Sequence, residues 1–335
     1  MAGEKIKQMA TNSIAKLGCR SPIIALAIAI SIVQPAFANH GPGTSGGGSS
    51  TASGETLRAG MVDLDFRFDF TEFQHISRAQ AEARAVDSGD FDTIKRAAIG
   101  SISLSYGLTD DWQIGAQLGY YQGWDFISAT SIGGGEAESG TGDPNGLTDL
   151  WLTSKYRLLK GAPGNLAVIG GIKLPTGRDD VRLSNGELLE ASSQPGTGAV
   201  DFQAGLAYSR FLTSRLTVDA SAIYTFRTDH NDFKVGDRLD LGLALAYRLT
   251  ESIKDFPNVS VFGEALGVWL GKDRDGDEFN PNSGGSTMYL SPGVRVRWNE
   301  HVALTLASAF PVVQELNGDQ VETRFKLALT LSFTF

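Results

Sequence analysis

The sequence predicts an all-β chain, a transmembrane antiparallel β-barrel of the outer-membrane type with about 12 strands. Three observations predict it. In the final segment, Phe325, Leu327, Leu329, Leu331, Phe333 and Phe335 alternate with Arg324, Lys326, Ala328, Thr330, Ser332 and Thr334. Side chains alternate across a strand, so this run has one apolar and one polar face, and it ends on an aromatic residue. Upstream, alternating segments recur with connections that are short and long by turns. The N-terminus has the form of an export signal.

That signal is read over residues 1–38. Lys5, Lys7, Lys16 and Arg20 precede an apolar run from Ile23 to Val33, and Ala36-Phe37-Ala38 follows as a small-residue cleavage pattern. The run is too short to span a bilayer as a helix, which needs about 20 residues. Cys19 is the only cysteine and lies before the apolar run, so the processed chain has no thiol for disulfides, catalysis or thiolate metal sites. Removing four basic residues and Glu4 leaves 25 basic and 37 acidic residues, a net charge of −12. That balance argues against nucleic acid as a partner. Residues 39–56, rich in Gly, Ser and Thr, read as a flexible periplasmic tether, and 57–335 as the barrel; such a tail can also fold back into a barrel mouth, a choice the sequence leaves open.

Along the barrel, Val62 to Phe70 alternates with Asp63, Asp65, Arg67 and Asp69. Similar alternation runs through Ser101–Leu108, Trp112–Tyr121, Leu216–Arg227, Arg238–Arg248 and Met288–Trp298, with less regular strands near 147–159, 165–175, 197–212, 258–270 and 301–312. Short connections fall at 109–111, 161–164, 213–214, 250–258 and 299–300. Long ones fall near 75–93, 122–146, 176–196, 228–237 and 271–286. Both termini then belong on the short-turn, periplasmic side. Trp112, Tyr156, Tyr247 and Trp298 are placed at one membrane boundary, and Trp124, Phe226 and Trp269 at the other. The segment 78–86 has high helix propensity and is expected as a short helix at the mouth.

The polar faces supply the candidate solute pathway: Asp63, Asp65, Arg67, Asp69, Asp219, Arg227, Arg238, Asp240, Arg295, Arg297, Arg324 and Lys326. The same charges could equally form a plug of ion pairs. The first and last strands close the barrel together, which would make the acidic face of the first a neighbour of the late basic residues. Asp273, Asp275 and Asp277 alternate around Gly276 in a long loop and are a candidate calcium site, without the full twelve-residue pattern. No cofactor is expected.

A local motif lies mid-chain. Lys173-Leu-Pro175-Thr176-Gly177 ends one strand, and Gln194-Pro-Gly196-Thr-Gly198 followed by Asp201 begins the next. With the export signal and the barrel pattern, this arrangement resembles the outer-membrane family named for the MetA pathway of phenol degradation. The resemblance implies a transporter for aromatic or other hydrophobic compounds. The charged interior departs from a purely greasy tunnel. The function expected is passive passage of small molecules, aromatic or hydrophobic acids among them, across the bacterial outer membrane. Its partners are membrane lipid, the solute, and the barrel-assembly machinery that reads Phe335. The alternatives are a phospholipase-like hydrolase and a plugged structural barrel. For the hydrolase, the processed chain offers only His40, His75, His230 and His301, and no Gly-x-Ser-x-Gly elbow between strand and helix.

Overall fold

The structure, a computed structural model, describes residues 48–335. Among these, 12 strands close into an antiparallel barrel. They are β1 (Val62–Phe73), β2 (Arg96–Thr109), β3 (Trp112–Trp124), β4 (Leu150–Leu159), β5 (Asn165–Leu174), β6 (Asp201–Phe211), β7 (Leu216–Phe226), β8 (Arg238–Arg248), β9 (Asn258–Leu270), β10 (Gly285–Arg297), β11 (Val302–Leu316) and β12 (Thr323–Thr334). Each pairs with its sequence neighbours, and β1 pairs with β12 to close the ring. Closure runs from Asp63↔Thr334 to Glu72↔Phe325. Phe335 extends it, since its backbone N–H donates to Val62 and its carbonyl accepts from Val62. On the outer face of this seam, Phe66 packs edge-on against Phe333, and Phe70 lies tilted against Phe325.

The alternation decides which way each side chain points. Phe66, Phe68, Ile102, Leu104, Leu243 and Leu245 stand exposed on the outer wall, while Asp63, Asp65, Arg67, Ser101, Ser103, Lys155, Asp219 and Arg295 are buried inside. A lipid-facing apolar band and a polar lumen are what a membrane barrel requires. Trp112, Tyr156, Tyr247 and Trp298 lie exposed near the short turns, and Phe226 and Trp269 near the long loops.

The long loops build a second, smaller core above the barrel. Helix α1 (Arg78–Ser88) starts at Ser77, whose hydroxyl accepts from the Gln80 N–H while the Gln80 side chain accepts from the Ser77 N–H, a full capping box. Ala81 and Ala85 are fully buried beneath it. They join Phe91, Ile94, Tyr121, Phe126, Leu183, Leu189 and Val321 in one cluster. Two three-stranded sheets, 90–93 with 126–133 and 136–142, and 233–234 with 274–275 and 278–279, complete the cap. Arg84 to Asp319, 3.0 Å apart, ties α1 to the loop before β12.

The tether expectation is corrected for its described part. Residues 48–56 do not trail away from the barrel; nearly all are buried inside it. The export signal and residues 39–47 lie outside the described residues.

Leu243 sits mid-strand on the outer face. Leu243→Arg is expected to lower folding stability in lipid by about 2–4 kcal/mol, the cost of a cation at the bilayer midplane. Urea unfolding in vesicles checks this, and an effect below about 0.5 kcal/mol would put this face away from lipid.

Candidate functional site: a chamber in the barrel lumen

The lumen is closed at the short-turn end by the chain's own segment 48–57. Small polar residues let the backbone lie flat on the wall, and the wall supplies its hydrogen-bond partners. Glu264 of β9 is the centre of this contact. Its Oε1 accepts from the N–H of Ser50 (2.9 Å), the N–H of Thr51 (2.8 Å) and the Thr51 hydroxyl (2.9 Å). Cations take the carbonyls: Arg295 donates to Gly48 (3.0 Å), Arg67 to Ser49 (2.7 Å) and Lys155 to Ser53 (3.2 Å). Further along, the Gly54 N–H donates to the Ser209 hydroxyl and the Leu57 N–H to Gln113. Gly54 is required by the fit, because a Cβ there would lie 2.3 Å from the Asn165 carbonyl oxygen.

Above this segment is a chamber of about 120 Å³. Two guanidinium–carboxylate forks, each within one strand, lie on its wall. Arg67 holds Asp69 at 2.6 and 2.7 Å, and Arg238 holds Asp240 at 2.6 Å on both arms. Between them the wall carries Lys326, Ala309, Tyr289, Leu266 and Val268. The Lys326 ammonium stands 4.6 Å from the centre of the Tyr289 ring. The interior is therefore charged on part of its circumference and apolar on the rest, where the sequence indicated charge alone. The apolar part was hidden because the outer end of β9, Ala265-Leu-Gly-Val-Trp269, is apolar on both faces and shows no alternation.

The cap lies at the other end, and the mid-chain motif anchors it. Lys173 sits between Asp201 (2.6 Å) and Asp149 (3.1 Å), all three buried. Asp149 also accepts from the N–H of Gly177 (2.9 Å) and of Thr197 (3.0 Å), pinning both arms of the 175–200 loop to one carboxylate. Gly177 and Gly196 cross so closely that a Cβ on either would come within 2.8 Å of the other's backbone. Thr176 accepts from the Leu150 N–H, Pro175 precedes the turn, and the Gln194 amide bonds the backbone of Val181 and Leu189. Gly198 takes φ +69 beside His230. The motif residues are thus a loop anchor.

The other sequence candidates separate. Asp63 and Asp65 accept from Thr334 and Ser332 across the seam, so hydroxyls are the direct partners of the acidic face, while the Arg295 guanidinium is near enough to Asp65 to act on its charge. Asp219 accepts from Ser209 beneath the inserted segment. Arg297 stacks over Phe256 near a short turn. Arg227 lies beyond the end of β7, in the loop region. Arg324 is exposed where the β1–β12 register shifts and is not on the chamber wall, which corrects its placement. Asp273 is buried and accepts from the Gly236 N–H (2.6 Å), whereas Asp275 and Asp277 are exposed. Among the described residues no group of three metal-ligating side chains comes together, so the calcium expectation fails on geometry. For the hydrolase alternative, Ser77 is engaged in capping α1 and His75 is exposed beside it. Glu264, Lys155 and Asp149 stand on the polar faces that the sequence reads as lumen, but their roles as anchors of the inserted segment and of the loop, and the place of Tyr289 on the chamber wall, were not indicated. Only their three-dimensional partners reveal them.

Residues 123–312, more than half of the chain, match the family model described as putative MetA-pathway of phenol degradation. The chain belongs to that family. Comparison with curated proteins gives no match. Among solved structures, this family member is similar to the COG4313 outer membrane channel from Pseudomonas putida F1, with TM-score 0.58 and 17% identity, over 84% of this chain and 97% of that one. That likeness shows a shared barrel fold. A mutant of the TodX monoaromatic hydrocarbon channel (TM-score 0.44, 14% identity, 90% and 98% covered) and the NanC porin (TM-score 0.44, 9% identity, 81% and 98% covered) are more distant.

In this member of the phenol-degradation family the cap buries carboxyls from three loops. Burial, then Asp90 and Glu187 repelling against the Ser128 hydroxyl, pushes Asp92 up to about 8. Glu190 is raised well above the usual range by burial first and then by Asp92, Asp273, Asp90 and Asp275. Burial pushes Asp273 up to about 6 against the opposing Gly236 N–H and Arg227. In an open cap these groups return to about 4. The closed cap binds more protons, so its advantage is full below about pH 4 and is lost as pH rises towards about 8. Deuterium uptake at 87–93 and 187–194, corrected for intrinsic rates, should rise from pH 5 to 8.5 while β8 stays flat. Asp92→Asn should flatten that slope. A pH-independent cap would refute the linkage.

Proposed function

We infer that the protein is an outer-membrane channel that passes small aromatic or hydrophobic acids passively, and that segment 48–57 is its stopper. The observation that carries this reading is the chamber, partly apolar and partly ionic, held between a removable stretch of the chain and a loop cap inside a membrane barrel. A barrel of about twelve strands leaves a lumen narrow enough for side chains and one inserted segment to block. The family's link to phenol degradation supports an aromatic solute. Lipid contacts the apolar outer wall. The assembly machinery would meet the exposed ring of Phe335, whose backbone is already held by Val62. The histidine geometry gives no support to hydrolysis.

Deleting residues 48–57 removes the stopper without touching a strand. The refolded barrel should show a single-channel conductance several-fold above that of the full chain, and faster liposome uptake of a phenolic acid. Unchanged conductance would mean that the cap alone, or a permanently plugged wall, sets permeability. Glu264→Gln keeps the shape but weakens the anchor. Its charged acceptor contributes about 1.5–3 kcal/mol per hydrogen bond, so this variant should open intermittently.

A further inference from the structure

The chamber wall carries one more positive than negative charge. Arg67 and Asp69 cancel, as do Arg238 and Asp240, which leaves Lys326. Among the described residues no carboxylate lies within 4.0 Å of its ammonium. Lys326 stands on β12 opposite Thr71 of β1 and Ala309 of β11. From there the wall continues through Ala309, Tyr289, Leu266 and Val268, with no other charge in that arc. A half-buried cation at the edge of an apolar wall is complementary to a solute with one anionic end and one apolar body.

Size narrows the class. The chamber holds about 120 Å³. Apolar cavities of about 150 Å³ take benzene. The space therefore suits one ring, or an aliphatic group of that size, and not a fused-ring system or an oligosaccharide. The geometry points to Lys326 as the specificity-determining residue of the channel, the contact that selects single-ring monoanions such as benzoate over neutral or cationic analogues. This rests on the channel reading and adds charge selection to it. The carboxylate meets the ammonium. The ring lies along Ala309, Leu266 and Val268 with Tyr289 at its edge, and the neutral forks on either side keep a second anion from being favoured.

The test compares liposome uptake of benzoate, benzyl alcohol and benzylammonium by the refolded protein and by Lys326→Gln, Lys326→Glu and Lys326→Arg. The order expected for the unaltered protein is benzoate, then benzyl alcohol, then benzylammonium. In Lys326→Gln the ratio of benzoate to benzyl alcohol uptake should fall about five- to tenfold, the scale of a half-buried ion pair. Lys326→Glu should invert the order, and Lys326→Arg should restore it. An equal fall for all three solutes, or no change in the ratio, would overturn the assignment. If nothing crosses even the unaltered barrel, the channel reading fails and the subsite is judged by binding. Fluorine NMR of 4-fluorobenzoate should then broaden with the unaltered protein and not with Lys326→Gln. No broadening with either would overturn the subsite as well.

Discussion

A barrel wall in lipid has no water to satisfy its backbone, so every N–H and C=O must find a partner within the sheet. The β1–β12 ladder meets this requirement, and the rest of the molecule depends on it. Closing the ring sends one side of every strand into a confined lumen, where charged side chains face each other instead of solvent. A wall with Glu264, Lys155, Arg67 and Arg295 turned inward must then hydrate them or give them partners. Residues 48–57 supply those partners: backbone N–H groups for the carboxylate and backbone carbonyls for the cations. The inserted segment is thus matched to the polarity of the lumen it closes.

Charge inside the barrel is sorted by height. Near the short turns it is absorbed by the inserted segment and by seam hydroxyls such as Thr334 and Ser332. Two forks neutralise themselves, one in the middle of β1 and one at the long-loop end of β8. Also at the long-loop end, Lys173 with Asp149 and Asp201 belongs to the loop anchor. The chamber occupies what is left. Its polarity reflects that sorting more than the total charge of the wall.

Much of this was legible in the sequence because the strand period is two and lipid enforces it. The apolar outward positions of β1, β2, β8 and β12 could be read off directly, as could the alternation of short and long connections. The helix propensity of 78–86 marked α1, whereas the Ser77–Gln80 capping box that starts it is seen only in the structure. The site was less legible for specific reasons. A Gly/Ser-rich stretch has the same composition whether it is solvated or laid on a wall. β9 loses its alternation where both faces are apolar. Carboxylates spaced by two in 273–277 share a loop, but only Asp273 turns inward. The pairing of Lys173 with Asp149 and Asp201 depends on the register of three consecutive strands, which the irregular alternation near 147–159 and 165–175 does not fix.

The anchor at Asp149 has a consequence for how such proteins diversify. One carboxylate and two crossing glycine backbones clamp both arms of the 175–200 loop at its root. Beyond the clamp the loop meets the sheet again only through the cap core, where Val181, Leu183 and Leu189 pack with Ile99 and Tyr121. The entropy of closing a loop grows only slowly with its length, so the exposed tip, 184–188, can be exchanged, lengthened or shortened at little cost to the wall. The tip is an interchangeable module on a fixed socket, and selection can reshape the mouth of the channel without disturbing the register of any strand.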